Sequence, residues 1–123
     1  MQLSTITVGV DIGDIDKYVF DACNQLRTFT VGGDIGDIDK FAFSHCNQLR
    51  TFTVGGDIGD IDKYAFDSYN QLSKITVNRR EYELGDGNDK TEAVRNTVRE
   101  AQNVDRIVAQ RGRKEYYLHH ALL

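Results

Sequence analysis

The side chains with the greatest chemical reach in this chain are nine aspartates in three equivalent groups: Asp11, Asp14 and Asp16; Asp34, Asp37 and Asp39; Asp57, Asp60 and Asp62. Carboxylates so spaced have two uses. A hard cation such as calcium takes about six to eight oxygen ligands, which makes Asp34, Asp37, Asp57 and Asp60 the weak candidates for a metal. An EF-hand loop ends in Glu, however, and no Glu occurs before Glu81. The preferred reading is turn chemistry, in which Asp side chains accept hydrogen bonds from backbone amides within each turn. Lys17, Lys40 and Lys63 then offset part of the charge, and no metal or cofactor is expected.

Arg27 and Arg50 form a second recurring pair, and two guanidinium groups side by side can clamp carboxylates. Cys23 and Cys46 also occupy equivalent positions, close enough in principle to bridge. The expectation is free buried thiols, because a buried cysteine behaves as a small hydrophobe and the pair offers no C-x-x-C redox or zinc motif. His119 and His120 are adjacent and not spaced to share a metal. No P-loop, dinucleotide fingerprint or nucleophile elbow appears. An active site breaks repeat symmetry and these columns preserve it, so no enzyme is expected.

The elements that position these residues are repeats. TVGVDIGDIDKYVFDACNQLR at 7–27, TVGGDIGDIDKFAFSHCNQLR at 30–50 and TVGGDIGDIDKYAFDSYNQLS at 53–73 recur every 23 residues. A unit that short cannot bury a core alone and must stack on copies of itself, which makes the chain a repeat solenoid. In the second unit Thr28-Phe29-Thr30-Val31 alternates as a half-buried strand does. Gly32, Gly33, Asp34, Gly36 and Asp37 supply turn chemistry, and Phe41, Ala42, Phe43 and Cys46 make the opposite wall. Core columns follow at Leu3, Leu26, Leu49 and Leu72; Ile6, Phe29, Phe52 and Ile75; Val8, Val31, Val54 and Val77; Ile12, Ile35 and Ile58; Ile15, Ile38 and Ile61; Phe20, Phe43 and Phe66.

These columns resemble the BspA-type leucine-rich repeat, whose 23-residue consensus has the same I-x-x-x-A-F-x-x-C core. The match in the second unit is Leu26, Phe29, Val31, Ile35, Ile38, Ala42, Phe43 and Cys46, and it extends over residues 2–77. The family's Pro after the strand is replaced by Gly32 and Gly55, its Gly after the I-x-x-I pair by Asp16, Asp39 and Asp62, and its Ala in the first unit by Val19. The resemblance implies a right-handed array of about three coils with a parallel β-sheet on its concave side, used to bind a protein or surface ligand. Carried onto this chain, the binding face comprises Arg27, Arg50, Thr28, Thr51, Lys74, Thr30 and Thr53, extended by Ser4, Thr5, Thr7, Ser73 and Thr76. The plain alternative for the threonines is that Thr tolerates an exposed strand well.

The composition changes after Val77. Residues 1–77 hold eleven Asp, no Glu and six Lys or Arg, whereas residues 78–123 hold eight acidic and nine basic residues. The expected organisation is an array over 1–77 (units 4–26, 27–49 and 50–72, last strand 73–77), an irregular last coil or linker over 78–88, and a helical segment over 89–123. In that segment Asp89 and Glu92 form a capping box, and Val94, Val98, Ala101, Val104 and Val108 follow at helical spacing. Gly112 then closes a helix of about 90–111. The helix is expected to cover the open end of the third coil, to bind a partner, or to begin a further domain. Tyr116, Tyr117, Leu118, Leu122 and Leu123 suggest a short second helix or docking segment.

Arg95, Arg99 and Arg106 lie on the opposite helix face, but the chain carries a formal net charge of −4 and lacks the dense basic patch nucleic acid requires. No membrane-length apolar run and no signal peptide is present, although members of the resembling family are often secreted or at the cell surface. Gln2-Leu3 matches Gln25-Leu26, so the array begins inside a unit. The expectation is either a piece of a longer array or an uncapped first coil that self-associates.

Overall fold

Each coil opens with a strand because two apolar side chains alternate with two polar ones before glycine intervenes. Phe29 and Val31 are buried while Thr28 and Thr30 are half-exposed, and the same pattern recurs at 51–54 and 74–77. The computed structural model describes residues 3–67, 71–85 and 90–121. They form β1 (Thr5–Val8), β2 (Thr28–Val31), β3 (Thr51–Val54), β4 (Lys74–Val77), β5 (Arg80–Glu83) and α1 (Lys90–Ala121). Gln2, Tyr69, Asp89, Leu122 and Leu123, on which some expectations rest, lie outside the described residues.

The first four strands pair in parallel in sequence order, each residue against its repeat equivalent: Thr5 on Thr28, Thr28 on Thr51, Thr51 on Lys74. Two narrower ladders run beside the sheet, Ile12 to Ile35 to Ile58 and Ile15 to Ile38 to Ile61. The chain is therefore a β-solenoid of about three turns followed by one helix.

Inside, the repeat columns become stacks. Phe20, Phe43 and Phe66 lie face to face at 5.2 and 5.1 Å, and Phe29 stacks on Phe52 at 5.2 Å. The two stacks meet edge to face, Phe43 against Phe29 at 5.2 Å and against Phe52 at 5.4 Å. Stacked and edge-on contacts are the two arrangements that ring quadrupoles favour. Close approach of the coils also dictates glycine after the strand, since a Cβ on Gly55 would stand 2.2 Å from the carbonyl oxygen of Gly32.

Residues 79–84 depart from the irregular last coil that the sequence suggests. Asn78 and Arg79 both adopt positive φ, 51° and 68°, the geometry of a two-residue hairpin whose twist suits flanking strands. β5 returns antiparallel along β4, pairing Lys74 with Glu83 and Thr76 with Glu81. The helix differs too: α1 continues through Gly112 to Ala121, so the segment around Tyr116 belongs to this helix rather than to a second one. Val94, Val98 and Ala101 join the same buried cluster as the coil residues.

Phe43 touches four other rings and is fully buried. Phe43→Ala is expected to lower the unfolding free energy by about 3–5 kcal/mol in a urea titration. Tyr18→Ala, at the exposed end of another stack, should cost less than about 1 kcal/mol.

Candidate binding surface

The outer face of the sheet is built by the alternation that builds the core. With Phe29, Phe52 and Ile75 turned inward, the intervening residues form two rows across the strands. One reads Thr5, Thr28, Thr51, Lys74, Glu83 and the other Thr7, Thr30, Thr53, Thr76, Glu81. The structure thus brings Thr28, Thr51, Lys74, Thr30 and Thr53 onto one face and adds two glutamates from β5. Their signal in the sequence was the alternation Arg80-Glu81-Tyr82-Glu83, with Tyr82 packed against the core. Lys74 Nζ reaches Glu81 Oε2 at 3.9 Å, an exposed pair that contributes little to stability.

Arg27 and Arg50 precede β2 and β3 on adjacent coils, where the Arg50 amide donates to the Arg27 carbonyl at 3.0 Å. Both side chains are exposed. Among the described residues neither has a carboxylate partner, so two exposed arginines on adjacent coils stand just before the threonine-bearing strands.

The aspartates work differently from simple turn caps. Asp11 Oδ1 accepts from the amide of Asp34, and Asp34 Oδ1 from the amide of Asp57, each at 2.8 Å. Asp14, Asp37 and Asp60 form a second such ladder at 2.8 Å. These carboxylates join one coil to the next, whereas Asp39 and Asp62 cap amides of their own coil, those of Lys40 and Tyr64. Asp34, Asp37, Asp57 and Asp60 therefore all lie in inter-coil ladders. Among the described residues no three His, Cys, Asp or Glu side chains cluster as a metal site would require.

A third lateral feature is an outer aromatic stack: Tyr18 on Phe41 at 5.4 Å and Phe41 on Tyr64 at 5.7 Å. Lys40 lies over Phe41 and Tyr64, and Lys63 over Tyr64, so the lysines shield rings as well as offsetting aspartate charge. The column at 18, 41 and 64, always following Lys, was its sequence signal.

One cluster has the residue types of a hydrolytic triad without its geometry. Ser44 Oγ and Asp21 Oδ1 lie 2.9 and 3.4 Å from the same nitrogen, His45 Nδ1. A proton relay needs the serine and the carboxylate on opposite ring nitrogens.

The model of the BspA type Leucine rich repeat region (6 copies) matches residues 1–88. The chain belongs to the BspA-type leucine-rich repeat family. Such repeats are commonly protein-binding modules and typically non-catalytic. Comparison with curated proteins and with solved structures gives no match. No helix among the described residues is long and apolar enough to cross a membrane.

The family's cysteine column is buried here. Cys23 and Cys46 lie inside the core and form no disulfide, and Cys46 Sγ donates to the Phe20 carbonyl at 3.0 Å. Burial pushes the Cys46 thiol up to about 12, the main opposing influence being a backbone hydrogen bond from Cys23. Between the ordinary thiol pKa and about pH 12 the unfolded chain loses this proton while the folded chain keeps it, so stability falls as pH rises through that window. Cys46→Ala should flatten this alkaline decline in melting temperature relative to the parent chain. A thiol reagent at pH 8 should label Cys46 only after denaturant is added.

Proposed function

We propose that this chain is a protein-interaction module that binds an acidic patch of its partner through the outer sheet face. The observation that carries the reading is the exposed Arg27 and Arg50 pair, without carboxylate partners among the described residues, beside two in-register rows of threonine. A guanidinium at the rim of a preformed surface offers carboxylates paired hydrogen bonds, and a sheet held by stacked coils presents it with little ordering cost. The experiment captures a partner on the immobilised chain, identifies it and titrates it against purified variants. Arg27→Glu with Arg50→Glu should weaken binding at least roughly tenfold with an unchanged circular dichroism spectrum. An unaltered affinity would remove the sheet face from the function.

A second reading, self-association through the first coil, is favoured by a different observation. Leu3, Val10 and Val19 are 57%, 69% and 52% exposed, whereas the equivalent Leu26 and Ala42 are fully buried. Another DIGDID coil does not fit there in repeat register. A Cβ on Gly33 would meet Asp11 Oδ1 at 2.0 Å, and Val10 carries the side chain that Gly33 lacks. At the other end α1 lies on the third coil, so self-association takes the form of a closed pair of first-coil faces rather than a filament. Light scattering on a size-exclusion column should then show a concentration-dependent dimer that Val10→Asp dissociates. A parent chain monomeric at every concentration would rule the pairing out.

A further inference from the structure

The third coil's outward groups have no fourth coil to meet, and three of them find substitutes. The amides of Ile12 and Ile35 donate to the carbonyls of Asp34 and Asp57 at 2.9 Å, while that of Ile58 donates to Gln102 Oε1 at 3.1 Å. The amides of Phe20 and Phe43 donate to Ala42 and Ala65, while that of Phe66 donates to Thr91 Oγ1 at 3.0 Å. Asp34 Oδ1 accepts from the Asp57 amide, while Asp57 Oδ1 accepts from Asn78 Nδ2 at 2.7 Å. The hairpin and the helix thus reproduce much of what another coil would supply.

One step of the pattern has no substitute. The amides of Ile15 and Ile38 donate to the carbonyls of Asp37 and Asp60 at 2.8 and 2.9 Å, but among the described residues the amide of Ile61 meets no acceptor. Asp14 and Asp37 each accept the next coil's amide, but among the described residues Asp60 Oδ1 meets no donor. Asp60 and Ile61 line a cleft of about 380 Å³ between the third coil and α1, whose helix wall is Arg95, Val98, Arg99 and Gln102. Among the described residues the two arginines bond only within their own helix, Arg95 to Glu92 at 3.4 Å and Arg99 to Asn96 at 3.3 Å.

We propose that this cleft binds an extended acidic peptide segment. Its carbonyl accepts from the Ile61 amide, its amide donates to Asp60 Oδ1, and its carboxylate lies against Arg95 and Arg99. The chain itself indicates the ligand chemistry, because the segment filling the equivalent place on each earlier coil is Asp-Ile-Gly-Asp-Ile-Asp. Asp60 does not bar an acidic segment, since in the earlier ladders the same carboxylate position faces another aspartate and binds its amide. Main-chain pairing supplies attraction and the arginine wall selects for charge, as when a peptide adds to an open sheet edge. This site lies on the helix side of the third coil and does not depend on the sheet-face reading.

The probe is a fluorescein-labelled peptide Gly-Gly-Asp-Ile-Gly-Asp-Ile-Asp titrated against the full chain by anisotropy, beside a counterpart with Asn for each Asp. Saturable binding is expected, at least roughly tenfold weaker for the Asn peptide and for the Arg95→Glu, Arg99→Glu variant. The Ile61 amide resonance should move on saturation. Should the double reversal unfold the chain, Arg99→Gln provides the same comparison with a smaller expected loss. Absence of binding, equal binding by the arginine variant or the Asn peptide, or amide shifts confined to the first coil would each overturn the proposal.

Discussion

The hydrogen bond from one coil's backbone to the coil 23 residues away is the interaction on which the rest of this structure depends. A single coil holds four strand residues and a string of turns, so it can neither satisfy its own amides nor enclose its own side chains. Stacking accomplishes both, through the sheet, the two isoleucine ladders and the aspartate ladders. Once the offset is set, each side chain must lie on its own equivalent, and that favours residue types that stack on themselves. Phenylalanine does so face to face, and aspartate does so by giving a carboxylate oxygen to its equivalent's amide. Glycine at 32 and 55 leaves room for the backbone beside it.

Because the stacking rule is local and periodic, the solenoid and its core columns were legible in the sequence. The rows of threonine were legible for the same reason, as were Arg27 and Arg50 as exposed neighbours. The direction of the aspartate bonds was not, since an Asx turn within a coil and a ladder between coils use the same residue at the same spacing. What happens after Val77 was also obscured, because the periodic signal stops there. Arg79 enters the positive-φ region, which a residue with a Cβ seldom occupies, and the gain that offsets this strain is the pairing of β5 on β4. Gly112 looked like a helix end by local preference alone, but one glycine costs only about 1 kcal/mol within a helix and did not stop α1.

The roles of Thr91, Gln102 and Asn78 were legible only after the fold. Each is an ordinary polar residue in the sequence, and each replaces a group that the repeat would otherwise have supplied. A buried amide left without an acceptor costs about 1–3 kcal/mol, so an array that ends on an open coil leaves a series of such penalties. The substitutes come from three separate places in the chain, two on the helix and one in the hairpin turn. Together with Val94, Val98 and Ala101 they give the third coil a neighbour that is chemically like a coil without having its sequence.

That division between periodic and substituted positions bears on where function can lie. A strictly repeated column meets the same demands in every coil, so its residues are already accounted for by stacking. The positions free to differ are those whose side chains face solvent or the two ends of the array. Arg27 and Arg50 have serine as their equivalents at 4 and 73, Thr51 is followed by Lys74, and β5 adds Glu81 and Glu83. The outer face therefore changes charge along its length while its backbone stays regular. At the third coil the substitution is incomplete among the described residues, leaving a donor and an acceptor beside two arginines. Regular stacking thus supplies a rigid frame, and the surface chemistry changes at the places where that regularity lapses.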